Sequence, residues 1–187
     1  VISRFNSKLF ILRSTVYVGF TDWIKEKSGK KVIFQPEYYG ETVAHPFADL
    51  NNRNWLIFGG DKEDANLAIR AYQNIYNSTV SIRISDSKTA ELAKYMENSF
   101  LATKVTFCNE FFDIAKAFDV DYNVLRELWL DDPRINRSHT FVYEDNRGFG
   151  GKCLPKDINS IVKQSIDKEL NVDLLESVIN KNRLLKK

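Results

Sequence analysis

The first 85 residues alternate short apolar runs with stretches of helical spacing. Leu9-Phe10-Ile11-Leu12-Arg13 has the length and character of a buried strand and ends at Ser14-Thr15. Thr21 or Asp22 is placed to cap a helix that runs to about Lys27 and stops at Ser28-Gly29. Val32-Ile33-Phe34-Gln35, closed by Pro36, reads as a second strand, and Trp55-Leu56-Ile57-Phe58, ending at Gly59-Gly60, as a third. Asp61 opens a helix whose apolar face is predicted to hold Leu67, Ile69, Ala71, Tyr72 and Ile75, and Val80 to Ile84 is the last strand. Strands separated by helices predict a parallel sheet with helices packed on it.

The pattern changes after Ser85. From Ser87 to about Phe118 there is neither Pro nor Gly, and Leu92, Met96, Ser99, Phe100, Thr103 and Phe107 recur at helical spacing. A helix of about 30 residues would be roughly 45 Å long. That exceeds what one small domain needs, so it is expected to span two domains or to form part of a dimer interface. Asp121 is placed to cap the next helix, with Val124, Leu125 and Leu128 facing inward. A loop from Asp131 to Lys152 follows, then a helix from Pro155 and a last one from about Val172 to Leu185. The expectation is an α/β region over residues 1–85, then an all-helical region with one long helix over 86–187.

Composition narrows the function classes. The 187 residues carry a formal net charge of only +2 with the two signs interspersed, which argues against a nucleic-acid-binding surface. Lys186-Lys187 reads as a solvated helix end. No apolar run approaches the roughly 20 residues of a membrane span, and the N-terminus lacks the order of a secretory signal. Cys108 and Cys153 make no disulfide framework, so a reduced, cytoplasmic setting is expected, with Cys108 an inert core residue among Phe107, Phe111 and Phe112. Neither His45, read as a loop residue, nor His139 has companions that suggest a metal. A dinucleotide-binding G-x-G-x-x-G is absent: Gly148-Phe149-Gly150-Gly151 lacks the third glycine and a preceding strand.

The segment Gly148 to Asp157 carries the densest chemical signal. Three glycines in four positions let the backbone approach a ligand and turn its N–H groups inward. Pro155 suits the first turn of a helix, which places Cys153 just ahead of a helix N-terminus. There the helix dipole, with Lys152 and Lys156 adjacent, favours thiolate over thiol, and Asp157 is near enough to orient the thiol or a water. From these residues alone, a structural cysteine at an ordinary helix start remains an equal reading.

Gly-Phe-Gly-Gly-Lys-Cys-Leu-Pro-Lys-Asp resembles the catalytic-cysteine motif of the UDP-glucose/GDP-mannose dehydrogenase family. Further segments follow in the family's order over nearly the whole chain. Arg13-Ser14-Thr15-Val16-Tyr17-Val18-Gly19 resembles the strand-end segment that meets nicotinamide and the catalytic water, Thr15 being the water-positioning hydroxyl. Pro36-Glu37-Tyr38-Tyr39-Gly40-Glu41 resembles Pro-Glu-Phe-Leu-Arg-Glu, with Glu37 and Glu41 matching the two active-site glutamates. Lys94 and Asn98 match the family's Lys-x-x-x-Asn pair, whose spacing of four puts both on one helix face. Asp131-Asp132-Pro133-Arg134-Ile135 resembles the segment whose arginine reaches the sugar-nucleotide site.

The resemblance implies a partial Rossmann-like sheet, the second half of an NAD domain, followed by the central helical domain. It implies oxidation of a nucleotide sugar at C6, as in the supply of uronic acids for polysaccharides, with NAD as hydride acceptor. The catalytic set is Cys153, Lys94, Asn98, Asp157, Thr15 and Glu41; NAD falls to Ser14, Thr15, Glu37 and Lys156. The sugar nucleotide falls to Glu37, Tyr38, Tyr39, Lys94, Asn98, Arg134, Phe149, Gly150 and Gly151. A homodimer through the long helix is implied, and a separate chain is one source for the absent N-terminal Rossmann half. The contrasting reading is a non-catalytic module that dimerises or binds a nucleotide sugar. Tyr17 stands where proline is usual, Gly40 where arginine is, Lys152 where a small residue is and Asn136 where glycine is, beside an extra Pro133.

Overall fold

The computed structural model describes residues 2–38, 54–73, 75–76 and 79–187. The chain divides into two compact units, Val1–Lys94 and Tyr95–Lys187. The division falls inside the long helix, because the first turns of that helix are bonded to the sheet-bearing unit.

The first unit runs β1 (Phe10–Leu12), α1 (Phe20–Ser28), β2 (Val32–Phe34), β3 (Trp55–Gly59), α2 (Lys62–Tyr72) and β4 (Ser81–Ser85). Among the described residues four strands lie side by side in chain order. β1 pairs parallel with β2, and β3 parallel with β4, since each pair is joined by a crossover helix. The two β–α–β units run in opposite directions and, among the described residues, meet at the antiparallel pair Phe34 and Gly59. The expected parallel pairing therefore holds within each unit, and the whole sheet is mixed. Val32, Ile33 and Phe34 are all buried, as in a strand covered on both faces.

Ile33, Leu56 and Phe58 form the core of this unit with Ala65 and Ala68 of α2, and Ile69 and Tyr72 pack at its edge. The inward stripe of α2 is thus centred on two alanines, which bring the helix backbone close to the sheet. Ala71 and Ile75, expected on that stripe, are exposed. α1 starts earlier than the capping pattern suggested: Gly19, with φ 91°, precedes its first residue, and Gly29, with φ 62°, closes it by donating to the Lys25 carbonyl at 3.0 Å. Thr21 is not the cap because the acceptor is supplied from elsewhere, by Glu91. Asp61 is the N-cap of α2, its carbonyl accepting from the Ala65 N–H at 2.8 Å, but its side chain makes no cap bond and pairs instead with Lys25.

The long helix is α3 (Ser87–Ala117, 31 residues). The second unit continues with α4 (Tyr122–Leu130), α5 (Leu154–Ile166) and α6 (Asp173–Leu185). Asp121 caps α4 as expected, accepting from the N–H groups of Asn123 at 2.7 Å and Val124 at 3.4 Å. One core joins Ala102 to Phe149, Ile158, Val162, Val178 and Ile179; another joins Cys108 and Ala115 to Tyr122, with Leu125 and Trp129 against it. Val124 and Leu128 were expected inside with Leu125 but are exposed. α4 is short and buries one narrow stripe, and these two residues lie off it. Among the described residues no helix is long and apolar enough to cross a membrane.

β3 and α3 approach closely at Gly59. A Cβ there would lie 2.4 Å from Ala90 Cβ and 3.2 Å from the Asp86 carbonyl oxygen. Gly59→Ala is therefore expected to destabilise the chain by roughly 1–3 kcal/mol, the usual cost of overpacking, read as a lower urea midpoint. A pH effect follows from the second core. Burial raises both the Cys108 thiol and the Tyr122 phenol above their ordinary values. The unfolded chain then loses these protons at lower pH than the folded one, so folded protein binds more protons above about pH 8.5. Stability should fall as pH rises from there, and Cys108→Ala should flatten the thiol's part of that fall in urea titrations.

Candidate active site

α5 begins where the glycine loop ends. Cys153 occupies the N-cap position with φ −91° and ψ −59°, and its carbonyl accepts from the Asp157 N–H at 2.9 Å, the first bond of the helix. Pro155 is the second helical residue, where a missing N–H costs nothing. The cysteine is exposed and forms no disulfide. One turn in, the Asp157 carboxylate is almost completely buried, 1% exposed. Its Oδ2 accepts from Asn98 Nδ2 at 2.6 Å, and its Oδ1 lies 2.8 Å from Lys156 Nζ. A buried carboxylate needs such partners, and an acidic group in a first turn also complements the helix dipole. The fold thus brings together Asn98, Cys153, Lys156 and Asp157, residues up to 59 apart in sequence.

The glycine loop is built for backbone conformation. Gly148 and Gly151 have φ of 72° and 75°, the left-handed region that favours glycine. Gly150 and Gly151 are exposed, whereas Phe149 turns its ring into the helical core and is 4% exposed. Phe149, placed by the resemblance among the substrate contacts, serves packing here. Arg134 is exposed and bound to Asp132, with Nε 2.9 Å from Oδ1 and 3.0 Å from Oδ2. The guanidinium holds the Asp132 carboxyl below the usual carboxylate range. Arg134 is thus held by a neighbour in its own segment.

The first unit holds the other group of expected residues, at the carboxyl ends of β1 and β2. Pairing continues past both strands: the Gln35 N–H donates to the Leu12 carbonyl at 2.9 Å, and the Glu37 N–H to the Arg13 carbonyl at 3.3 Å. Gln35 is 1% exposed, and its Oε1 accepts from Arg13 Nε at 3.0 Å and the Tyr72 hydroxyl at 3.1 Å. Arg13 also forms an ion pair with Glu37. Ser14 is exposed and Thr15 half-buried just beyond β1. Tyr38 packs edge-on against Trp55, ring centroids 4.4 Å apart, and Lys94 Nζ sits 4.1 Å from the centroid of the Tyr38 ring. Lys94 is only 8% exposed, a cation sheltered on an aromatic face. Tyr39, Gly40, Glu41 and His45 lie outside the described residues.

Three residues in supporting positions escaped the sequence reading. Glu91, 1% exposed on α3, accepts from the Gly19 N–H at 2.5 Å, the Thr21 N–H at 3.0 Å and the Thr21 hydroxyl at 2.6 Å. It occupies the place of an N-cap side chain for α1. Asn109 and Asn182 bond the backbone of the glycine loop. In sequence each is a polar residue within a helix, indistinguishable from a solvated one, except that Asn109 stands between the core residue Cys108 and an exposed glutamate.

Comparison with known proteins shows the family. A family model, UDP-glucose/GDP-mannose dehydrogenase family, central domain, matches residues 88–184. UDP-glucose 6-dehydrogenase of Rickettsia bellii is 32% identical over 185 residues, covering 94% of this chain and 41% of that protein. GDP-mannose 6-dehydrogenase of Pseudomonas savastanoi is 31% identical over 183 residues, covering 92% and 41%. The solved structure of a UDP-glucose dehydrogenase from Pyrobaculum islandicum superposes with a TM-score of 0.80 at 28% identity, covering 94% of this chain and 41% of that one. The chain thus spans about two fifths of the length of these relatives. With the family model covering more than half of its residues, the chain belongs to the UDP-glucose/GDP-mannose dehydrogenase family.

Proposed function

We propose that this chain supplies the nucleophile and its supporting groups for NAD-dependent oxidation of a nucleotide sugar such as UDP-glucose, C6 alcohol to carboxylate. The observation that carries the reading is the exposed Cys153 at the start of α5, with the buried Asp157–Asn98 pair one turn behind it. Ser14 and Thr15 follow β1 at the carboxyl end of a parallel strand pair, where cofactors meet open α/β sheets, and they fit a nicotinamide there, with Glu37 beside them at the end of β2. When bound, NAD would accept one hydride from C6 in each of the two oxidations, so two NAD are consumed for each acid formed.

The rest falls to the chain's own residues. The Cys153 thiolate adds to the C6 aldehyde, forming a C–S bond while the carbonyl electrons move to oxygen as a thiohemiacetal. Lys94 and Asn98 are the groups to stabilise that oxygen by a cation and an amide N–H. Loss of the second hydride from C6 leaves a thioester, and water breaks its C–S bond to release the acid and return the thiolate. Thr15 and Glu41 hold that water, and Asp157 assists proton movement. Cys153→Ser is expected to lower uronic acid formation from UDP-glucose by at least about 100-fold, serine being a far poorer nucleophile near neutrality. Reduced-cofactor absorbance and product chromatography read this. A serine variant that makes acid at the full rate would falsify the role of Cys153. UDP-glucose binding in calorimetry with no cofactor reduction by the parent chain would instead favour the non-catalytic binding module or an enzyme whose N-terminal Rossmann half lies on a separate chain.

We further propose that α3 pairs with a second copy of this chain. In the second unit its surface exposes Met96, Phe100, Phe107, Phe111 and Ile114, and Phe118 is exposed just past its end. Phe107 and Phe111 also border an apolar cleft of about 150 Å³ with Leu125 and Trp129. An apolar stripe of this length is uncommon on a monomer, and a two-fold axis would let one stripe cover its twin. Sedimentation should give twice the chain mass, and Phe111→Glu should give a monomer. A monomeric parent at micromolar concentration would rule the pairing out.

A further inference from the structure

The loop that leads into Cys153 is fastened to two helices by asparagine side chains. Asn182 of α6 makes a two-point clamp on the backbone of Phe149: its Oδ1 accepts the N–H at 2.7 Å and its Nδ2 donates to the carbonyl at 3.0 Å. Asn109 of α3 accepts the neighbouring Gly148 N–H at 3.1 Å and the Arg147 Nε at 2.7 Å. Arg147 in turn donates to the Asn109 carbonyl and to Asp113, both at 2.8 Å. A Cβ at position 148 would lie 2.4 Å from Asn182 Oδ1, so Gly148 is what admits the clamp. Three consecutive loop residues are therefore held, and the Phe149 ring between them is locked in the core.

Only Gly150, Gly151 and Lys152 separate this fixed point from Cys153, and all three are exposed. Two glycines in a stretch of three would wander widely unless both ends were set. One end is set by the first hydrogen bond of α5 and the other by Asn182. The clamp needs a donor and an acceptor on one small planar group, which asparagine has, aspartate at neutral pH lacks and alanine lacks altogether.

We propose that Asn182 is a positioning residue for Cys153, acting through the Phe149 clamp to fix the path of the 150–152 segment and hence the place of the thiol at the start of α5. This rests on the reading of Cys153 as the nucleophile. The thiol's charged neighbours in its own segment are Lys152, Lys156 and Asp157, none of which the clamp touches.

The test measures iodoacetamide alkylation across about pH 6 to 9, with peptide mass spectrometry separating Cys153 from Cys108. Asn182→Ala is expected to slow alkylation of Cys153 near neutrality by at least about threefold and to move its half-maximal rate to higher pH, toward an ordinary thiol. Cys108, buried in the core, should stay unreacted and report that the unit is folded. Asn180→Ala, on the exposed side of α6, should leave the profile unchanged. An Asn182→Ala profile equal to the parent's, with Cys108 protected, overturns the proposal. If Cys108 reacts because the alanine variant unfolds, Asn182→Asp, which keeps the shape and loses the donor, is held to the same two outcomes. A parent Cys153 with the profile of an ordinary thiol counts against the nucleophile reading instead. The clamp is then judged by hydrogen exchange at the Phe149 amide, which must quicken in Asn182→Ala for the proposal to stand.

Discussion

The buried carboxylate of Asp157 is the constraint on which the second unit of this structure depends. A charge so far removed from water persists only with partners at hydrogen-bond distance, and it has them in Asn98 and Lys156. Satisfying it forces the start of α5 against α3, so the residue that opens α5, Cys153, cannot drift from the helix that carries Asn98. The same requirement therefore ties the segment that begins at Cys153 to the helix that carries Asn98. It also makes loss of the buried Asn98 amide costly, because that removes a hydrogen bond to a carboxylate that water cannot reach.

The first unit repeats the principle with a different acid. Glu91 lies one turn ahead of Lys94 on α3 and takes up the donors at the start of α1, where no local side chain caps them. Residues 13–19 are thereby held between β1 and an anchored helix start. On the same helix Lys94 rests on the ring of Tyr38, which packs on Trp55. In each unit, then, a buried acid lies at a helix N-terminus, and a residue of the candidate site lies next to the segment so fixed.

Glycine has two distinct uses here. At Gly59 the backbone conformation is ordinary and the missing Cβ lets β3 and Ala90 approach. At Gly148 the left-handed conformation and the space for Asn182 coincide, so the residue serves geometry and contact together. The exposed glycines 150 and 151 differ again: nothing in the core crowds them, and they leave backbone open beside the cysteine. A run that reads uniformly as a flexible loop is thus one fixed residue, one core aromatic and two open positions.

The order of strands and helices was legible in the sequence because periodicity is a local property. Val32-Ile33-Phe34 declares a strand buried on both faces, the long stretch without Gly or Pro declares α3, and Asp121 caps α4 from two residues away. The cysteine motif and its order relative to Lys94 and Asn98 were legible as well, since chemistry at that spacing resembles one family. Tertiary structure alone decided the rest. The reversal between the two β–α–β units depends on how they meet at Phe34 and Gly59. The inward turn of Phe149 depends on a core assembled from α3, α5 and α6. The roles of Glu91, Asn109 and Asn182 depend on partners 72, 39 and 33 residues away respectively. A helical asparagine or glutamate looks the same in sequence whether it meets water or a backbone amide, and only the folded chain brings the amide to it.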